Sequence, residues 1–296
     1  MKSVIAVCSF PGSYDVDANL ALHLEYIREA AAQGVQLLVF PEQSMQGYPR
    51  SYSADEEGEV IDGVTANAET LEGPHVLAVA NLAAELGIDV IFGLAEAGAR
   101  PGVTYNSAVL VRPAEGVVGA YRKIHVPLQE RIFFWPGKEW MVLDTVAGNA
   151  GLLICYDKAW PESTRELLLR GADMFIMPTA WWLWDESAGP ADMWFDHYCL
   201  FERARAVENN RWFISSNLAG DIGGRRFFGV SQIVNPNGQI VAATPFGEPG
   251  LAIAEVDIAR GIQDSYHLNS GAHLLRDRRP DTYEVLDGRR SIAIDG

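Results

Sequence analysis

Gly151-Leu152-Leu153-Ile154-Cys155-Tyr156-Asp157-Lys158-Ala159-Trp160-Pro161-Glu162 is an apolar run that stops at a cysteine and hands over to a helix start. Leu152–Ile154 reads as a buried strand. Glu162–Arg170 reads as a helix: Pro161-Glu162 stand at its start, Glu166 and Arg170 pair one turn apart, and Gly171 follows its end. Met174–Met177 is strand again. Strand, helix and strand in quick succession mean a sheet covered by helices. Ligand chemistry in such folds gathers at the carboxyl ends of strands, and Cys155 stands at one. A thiol placed there is exposed at the sheet edge and close to helical N–H groups, which favour thiolate. The competing reading is a buried structural cysteine.

The same alternation runs outward in both directions. Val4–Cys8 is a strand, and Val16, Leu20, Leu24, Ile27 and Ala31 follow at helical spacing until Gly34. Leu37–Phe40 is a strand that ends in Pro41-Glu42. His75–Leu86 is a helix, Val90–Leu94 a strand, and Thr104–Val111 with Val117–Arg122 a strand pair. Asp192–Asn209 is a long helix with Trp194, Tyr198, Phe201 and Ala204 on one face. Trp212–Ser216, Gln232–Val234, Gln239–Ala243 and Leu251–Val256 are strands. From Ile262 the periodicity fades, which divides the chain into a domain over 1–260 and a tail over 261–296 lying on the domain or on a partner subunit. One echo stands out. Gln33–Glu42 and Arg170–Thr179 both read helix end, Gly, turn, apolar strand, Pro, polar residue. Either any α/β protein produces such junctions, or two related halves point their strand ends into one site. The fold class is α/β, with mixed sheets covered by helices.

Composition narrows the function. The chain has 296 residues, 48% of them hydrophobic, and a formal net charge of −16. This is a folded chain, and its acidic balance disfavours nucleic acid and anionic membrane as partners. Three cysteines (Cys8, Cys155, Cys199) encode no disulfide framework. Cys8 lies inside a strand run and Cys199 in mid-helix, so both fit the structural reading. The start runs straight into a strand without a signal-peptide layout, and the expected setting is cytoplasmic. The six histidines are scattered, with no HxxxH or CxxC pair, so no metal is expected. No GxGxxG or Walker segment points to a nucleotide. His125 and His197 lack the context of a Cys–His enzyme.

Three charged residues stand where chemistry would use them. Glu42 closes an apolar strand, and a desolvated carboxylate there gains the raised pKa of a general base, unless it is an ordinary capping residue. Lys123 in Tyr121-Arg122-Lys123-Ile124-His125 closes another strand, where a buried ammonium holds an oxyanion and a solvated one merely snorkels. Glu130 heads the apolar segment Arg131-Ile132-Phe133-Phe134-Trp135-Pro136-Gly137 and has Lys123 or Arg131 as a partner.

Taken in order, these segments resemble the nitrilase superfamily of carbon–nitrogen hydrolases. The matches are Phe40-Pro41-Glu42 with Gly47-Tyr48-Pro49, the Lys123 and Glu130 segments, Cys155-Tyr156-Asp157 with Trp160-Pro161-Glu162, and Arg203–Asn210 before Asn217. The resemblance implies a four-layer αββα sandwich, a triad of Glu42, Lys123 and Cys155, and a second glutamate, Glu130, beside the lysine. It also implies a homodimer or higher homo-oligomer, no cofactor, and hydrolysis of a small amide through a thioester. Tyr156-Asp157 after the cysteine looks amidase-like or carbamoylase-like; true nitrilases usually carry Trp-Glu there. Carbamoyl-amino-acid hydrolases carry basic residues nearby for a carboxylate, and Lys158 supplies half of that feature. Trp181-Trp182-Leu183-Trp184 would wall an apolar acyl pocket or pack a subunit interface. Tyr48, Tyr156, Lys158, Trp181 and Trp182 are thus the candidate substrate contacts. A binding scaffold that kept the fold and lost turnover is the rival from another class.

Overall fold

The computed structural model describes residues 2–49, 66–127, 130–268 and 272–283. Two six-stranded mixed sheets form its centre. The first has the order β14-β1-β2-β3-β4-β5, built from β1 (Lys2–Ser9), β2 (Leu37–Val39), β3 (Asp89–Ala97), β4 (Thr104–Arg112), β5 (Gly116–Arg122) and β14 (Gly250–Asp257). The second has the order β13-β12-β9-β8-β7-β6, built from β6 (Val142–Thr145), β7 (Gly148–Leu152), β8 (Met174–Thr179), β9 (Trp212–Asn217), β12 (Gln232–Val234) and β13 (Ile240–Ala243). A hairpin of β10 (Ala219–Ile222) and β11 (Arg225–Phe228) stands apart.

Strand alternation explains the layers. Ile5, Val7, Leu37, Val39, Ile91 and Leu110 of the first sheet face Leu152, Met174, Ile176, Ile214 and Ile233 of the second in one shared core. Their neighbours in sequence point the other way. Ala6, Cys8, Leu38, Val90 and Phe92 pack under helices α1 (Val16–Ala32) and α2 (Pro74–Leu86), which contribute Ile27, Ala30, Val76 and Val79. Phe175, Met177, Phe213 and Val234 pack under α3 (Pro161–Leu169) and α4 (Met193–Asn209). The result is the expected α, β, β, α stack.

The echo in the sequence has a counterpart here. β2 is the middle of a parallel trio with β1 and β3, and β8 is the middle of a parallel trio with β7 and β9. Each sheet also adds antiparallel strands on both sides of its trio.

Three expectations need correction. The strand before the cysteine ends at Leu152, and Leu153-Ile154 leave the sheet to reach a 3-10 turn over Cys155–Ala159. The buried face of α4 is Tyr198, Glu202, Arg205, Ala206 and Asn209, so of the expected apolar face only Tyr198 is fully buried. The helix buries charge because that charge finds partners, as described below. Finally, a helix, α5 (Ile258–Leu268), runs through the 260/261 boundary. Its Ile258 carbonyl accepts the Trp212 indole N–H at 3.1 Å, and Asn210 donates to its buried Ser265 at 3.1 Å. Beyond it, Leu275 packs on the core beneath α3. The remainder of the expected tail, 284–296, lies outside the described residues. Among the described residues no helix is long and apolar enough to cross a membrane.

Candidate active site

The carboxyl ends of strands from both sheets meet at one place. Glu42 stands three residues beyond β2, and its backbone N–H reaches the Thr179 carbonyl at the end of β8. Lys123 follows β5 directly, and Cys155 follows the exit from β7. Glu42 and Lys123 are fully buried, and Cys155 and Glu130 nearly so. The sequence expectation of a snorkelling lysine is thereby excluded.

The charges form one cluster. Lys123 Nζ donates to Glu42 Oε1 at 2.7 Å and to Glu130 Oε1 and Oε2 at 2.8 and 2.7 Å. Arg131, the rival partner of Glu130, instead donates to the Val126 carbonyl. Tyr48 Oη donates to Glu130 Oε1 at 2.6 Å. Asn106 Nδ2 donates to Glu42 Oε1 at 2.7 Å, and its amide is oriented by Gln43 Nε2, which donates to Asn106 Oδ1 at 3.0 Å. Glu130 is thus occupied at both oxygens, whereas Glu42 Oε2 is buried without a partner among the described residues.

Burial sets the proton affinities. Desolvation pushes the Glu42 carboxyl up to about 7, against the pull of Lys123 and with a further push from Glu130. Burial alone would lower Lys123, but Glu130 and Glu42 outweigh it and raise the ammonium above its usual value. The Cys155 thiol is pushed up to about 12, first by burial and then by Glu42, with Lys123 opposing. The helical N–H groups expected to favour thiolate are outweighed, because the sulfur is buried beside a carboxylate. Thr179 Oγ1, otherwise without a partner, is close enough to the sulfur to favour the charged form.

The turn that presents the thiol is strained. Cys155 has φ +46°, a left-handed conformation that costs a residue with a side chain on the order of 1–3 kcal/mol. Asp157 holds it. Its fully buried carboxylate accepts from Ile154 N and Tyr121 Oη through one oxygen, at 2.9 and 2.8 Å, and from His125 N and Nδ1 through the other, at 2.9 and 2.8 Å. Tyr121 and His125 flank Lys123, so Asp157 ties the Cys155 turn to the segment that carries the lysine. His125 also stacks on Trp160, with ring centroids 4.1 Å apart.

The candidate substrate contacts divide. Tyr48 and Trp182 pack together, 5.9 Å between centroids, and both touch Phe227. Trp181 is partly buried against the core between the two sheets, with its backbone N–H and carbonyl latched to the Asn217 side chain. Tyr156 is 37% exposed. Lys158 is the correction. It is fully buried, with its ammonium 2.7 Å from Glu202 Oε1, so it faces into the protein and offers no charge to a substrate carboxylate.

Asn106, Gln43, Thr179 and Glu202 were not singled out by the sequence reading, and Asp157 was read only as part of the motif after the cysteine. Asn106 had a signal, a polar residue in the middle of the apolar strand β4. Glu202 had none, because a buried and an exposed acidic residue look the same in sequence until partners are known.

Comparison with known proteins follows from this geometry. The Carbon-nitrogen hydrolase family model matches residues 4–266. The chain is 29% identical to a probable nitrilase of Schizosaccharomyces pombe, covering 97% of this chain and 99% of that one. It is also 29% identical to N-carbamoylputrescine amidase of Solanum lycopersicum, covering 95% and 94%. Among solved structures, a Glu-to-Gln mutant of the amidase from Nesterenkonia sp. AN1 superimposes with a TM-score of 0.71 at 28% identity, over 90% of this chain and 96% of that one. In that protein the acetamide moiety of fluoroacetamide is covalently added at the active-site cysteine. Fold, order of motifs and full-length similarity agree, and the chain belongs to the carbon-nitrogen hydrolase family.

Proposed function

We propose that the protein hydrolyses a small, non-peptide amide to an acid and ammonia through a thioester on Cys155. The observation that carries this reading is Glu42. It is a buried carboxyl near 7 with one oxygen anchored by Lys123 and Asn106 and the other free to take a proton. Burial raises the thiol further than the carboxyl, so the resting pair is a thiol beside the Glu42 carboxylate. The proton therefore passes from Sγ to Glu42 Oε2 as sulfur attacks the carbonyl carbon. Lys123 and the Tyr156 backbone N–H stabilise the oxyanion that forms. Glu42 returns the proton to the leaving nitrogen, the C–N bond breaks and ammonia departs. Water then attacks the thioester, Glu42 takes its proton, the C–S bond breaks, and the proton returns to the sulfur. Glu130 holds the lysine and exchanges no proton in this scheme, since both its oxygens are engaged.

A carbonyl substrate fits better than a nitrile, because it already carries the oxygen these donors would bind. A carbamoyl amine is the second reading, favoured by the similarity to N-carbamoylputrescine amidase. A carbamoyl amino acid is disfavoured, since Lys158 is engaged by Glu202. Ammonia release from an arylalkyl amide, its nitrile and a carbamoyl amine tests the order. The amide should show the highest kcat/KM, and a leading nitrile or carbamoyl amine would overturn it. Activity that survives His125→Ala and His197→Ala excludes a Cys–His enzyme, and a wild type that turns over while a folded Cys155→Ala variant is inert excludes a scaffold.

A further inference from the structure

Helix α4 grips the nucleophile turn from behind. Arg205 donates through Nε to the Lys158 carbonyl at 2.9 Å and through Nη2 to the Ala159 carbonyl at 3.0 Å. One turn earlier, Glu202 takes the Lys158 ammonium through Oε1. Its Oε2 accepts from Ser215 Oγ at 2.7 Å and Gln232 Nε2 at 2.6 Å, so the carboxylate is fixed from β9 and β12. The same ammonium lies 3.6 Å from the centroid of the Tyr198 ring and 4.4 Å from that of Trp181.

A buried ion pair is a poor way to gain stability, because desolvation offsets most of the attraction and apolar residues fill such a place as well. An ammonium does what a leucine does not: it holds a carboxylate and two ring faces in fixed directions at once. One of those rings is Trp181. It follows Ala180, whose carbonyl is 4.0 Å from Cys155 Sγ. At the other end of the same side chain, the Lys158 backbone belongs to the strained turn that begins at Cys155.

We propose that Lys158 is a positioning residue whose ammonium fastens the turn carrying Cys155 to the wall carrying Trp181, so that one buried charge sets both nucleophile placement and the acyl-binding surface. This rests on the amide-hydrolase reading above.

The test separates positioning from stability. Lys158→Met alone strands the Glu202 charge and destabilises the fold. Lys158→Met with Glu202→Gln removes both charges and should restore Tm to near wild type. In that double variant kcat for acetamide falls, and kcat/KM for phenylacetamide falls by roughly tenfold or more, with a raised KM. Wild-type Tm together with wild-type kcat and KM on both amides overturns the proposal, and so does an equal loss on both amides. Trp181→Leu leaves the ion pair intact and keeps the question open to decision should the double variant fail to fold. It should raise KM for phenylacetamide by a larger factor than KM for acetamide, and an equal change on both amides, or none on either, overturns the coupling. A wild-type protein that turns over neither amide overturns the hydrolase reading first and this inference with it.

Discussion

Glu42 and Lys123 share a hydrogen bond yet fail differently when changed. In the proposed mechanism Glu42 must be ionised to accept the thiol proton, and burial pushes its carboxyl up to about 7. The rate should therefore fall as pH drops through about 7, close to tenfold per pH unit below it, because each unit leaves a tenth of the base. Lys123 is raised by its two glutamates and stays charged, so the profile should reach a plateau on the alkaline side. A kcat/KM profile that is flat between pH 5 and 7 would remove Glu42 from the base role. Lys123→Ala should cost on the order of 10²-fold or more in kcat, as loss of an oxyanion donor does. It also strands two buried carboxylates, and breaking such a cluster costs about 3–5 kcal/mol. Thermal unfolding must accompany the kinetics. Adding Glu130→Gln to that variant should recover part of the lost Tm and none of the lost rate.

Elements bring these residues together, and here the sequence was only half legible. Glu42, Lys123 and Cys155 could be found because each ends an apolar run, and strand ends are where α/β folds do chemistry. Glu202 could not, Asn106 offered only a polar residue in a strand, and Asp157 was legible as a motif residue but not as the buried anchor of the turn. Their burial comes from β4, the 155–159 turn and α4 meeting neighbours distant in sequence, and periodicity carries no such information. The misjudged face of α4 has the same cause, since Glu202 and Arg205 are buried by what they bind. The close approach of β3 to the Glu42 segment is another tertiary fact. Gly93 N donates to the Pro41 carbonyl at 3.1 Å. A Cβ on Gly93 would stand 2.2 Å from Gln43 N and 2.4 Å from the Pro41 carbonyl oxygen. Those are backbone atoms that no rotamer change relieves. Gly93→Ala must push the Glu42–Gln43 backbone away from the lysine, and Gln43 already sits at φ +51°. Turnover should drop by roughly 10²-fold for a displacement near 1 Å. Full activity in Gly93→Ala would mean that the segment has room the structure denies it.

At the scale of the whole molecule the site is a seam. Glu42, Asn106 and Lys123 come from the first sheet and Cys155 and Thr179 from the second, so the proposed mechanism requires the two sheets to sit on one another as they do. Their shared core includes Trp212 of β9, next to β8. α5 closes that core from its end, which places the edge of the folded unit beyond the residue where the sequence pattern fades. The periodicity faded there because α5 is short: its apolar contacts, Ile258 and Ile262, straddle the 260/261 boundary, and the rest of its docking goes through a backbone carbonyl, a glycine and a serine, none of which registers as apolar. Gly261 decides the point. If α5 were a loosely attached tail, Gly261→Ala would stabilise it, since alanine is better than glycine in a helix by about 1 kcal/mol. In the docked helix a Cβ on Gly261 would lie 2.6 Å from Trp212 Cζ2 and 2.8 Å from its Nε1. That indole is nearly buried and anchored by its bond to the Ile258 carbonyl, so it has nowhere to go. Overpacking of this kind costs about 1–3 kcal/mol, more than the propensity gain at the upper end. Gly261→Ala should therefore lower Tm by a few degrees, at about 2–4 °C per kcal/mol for a chain of this class. Gly261→Val should lower it further. A rise in Tm for the alanine variant would detach α5 from the core and restore the domain boundary at 260.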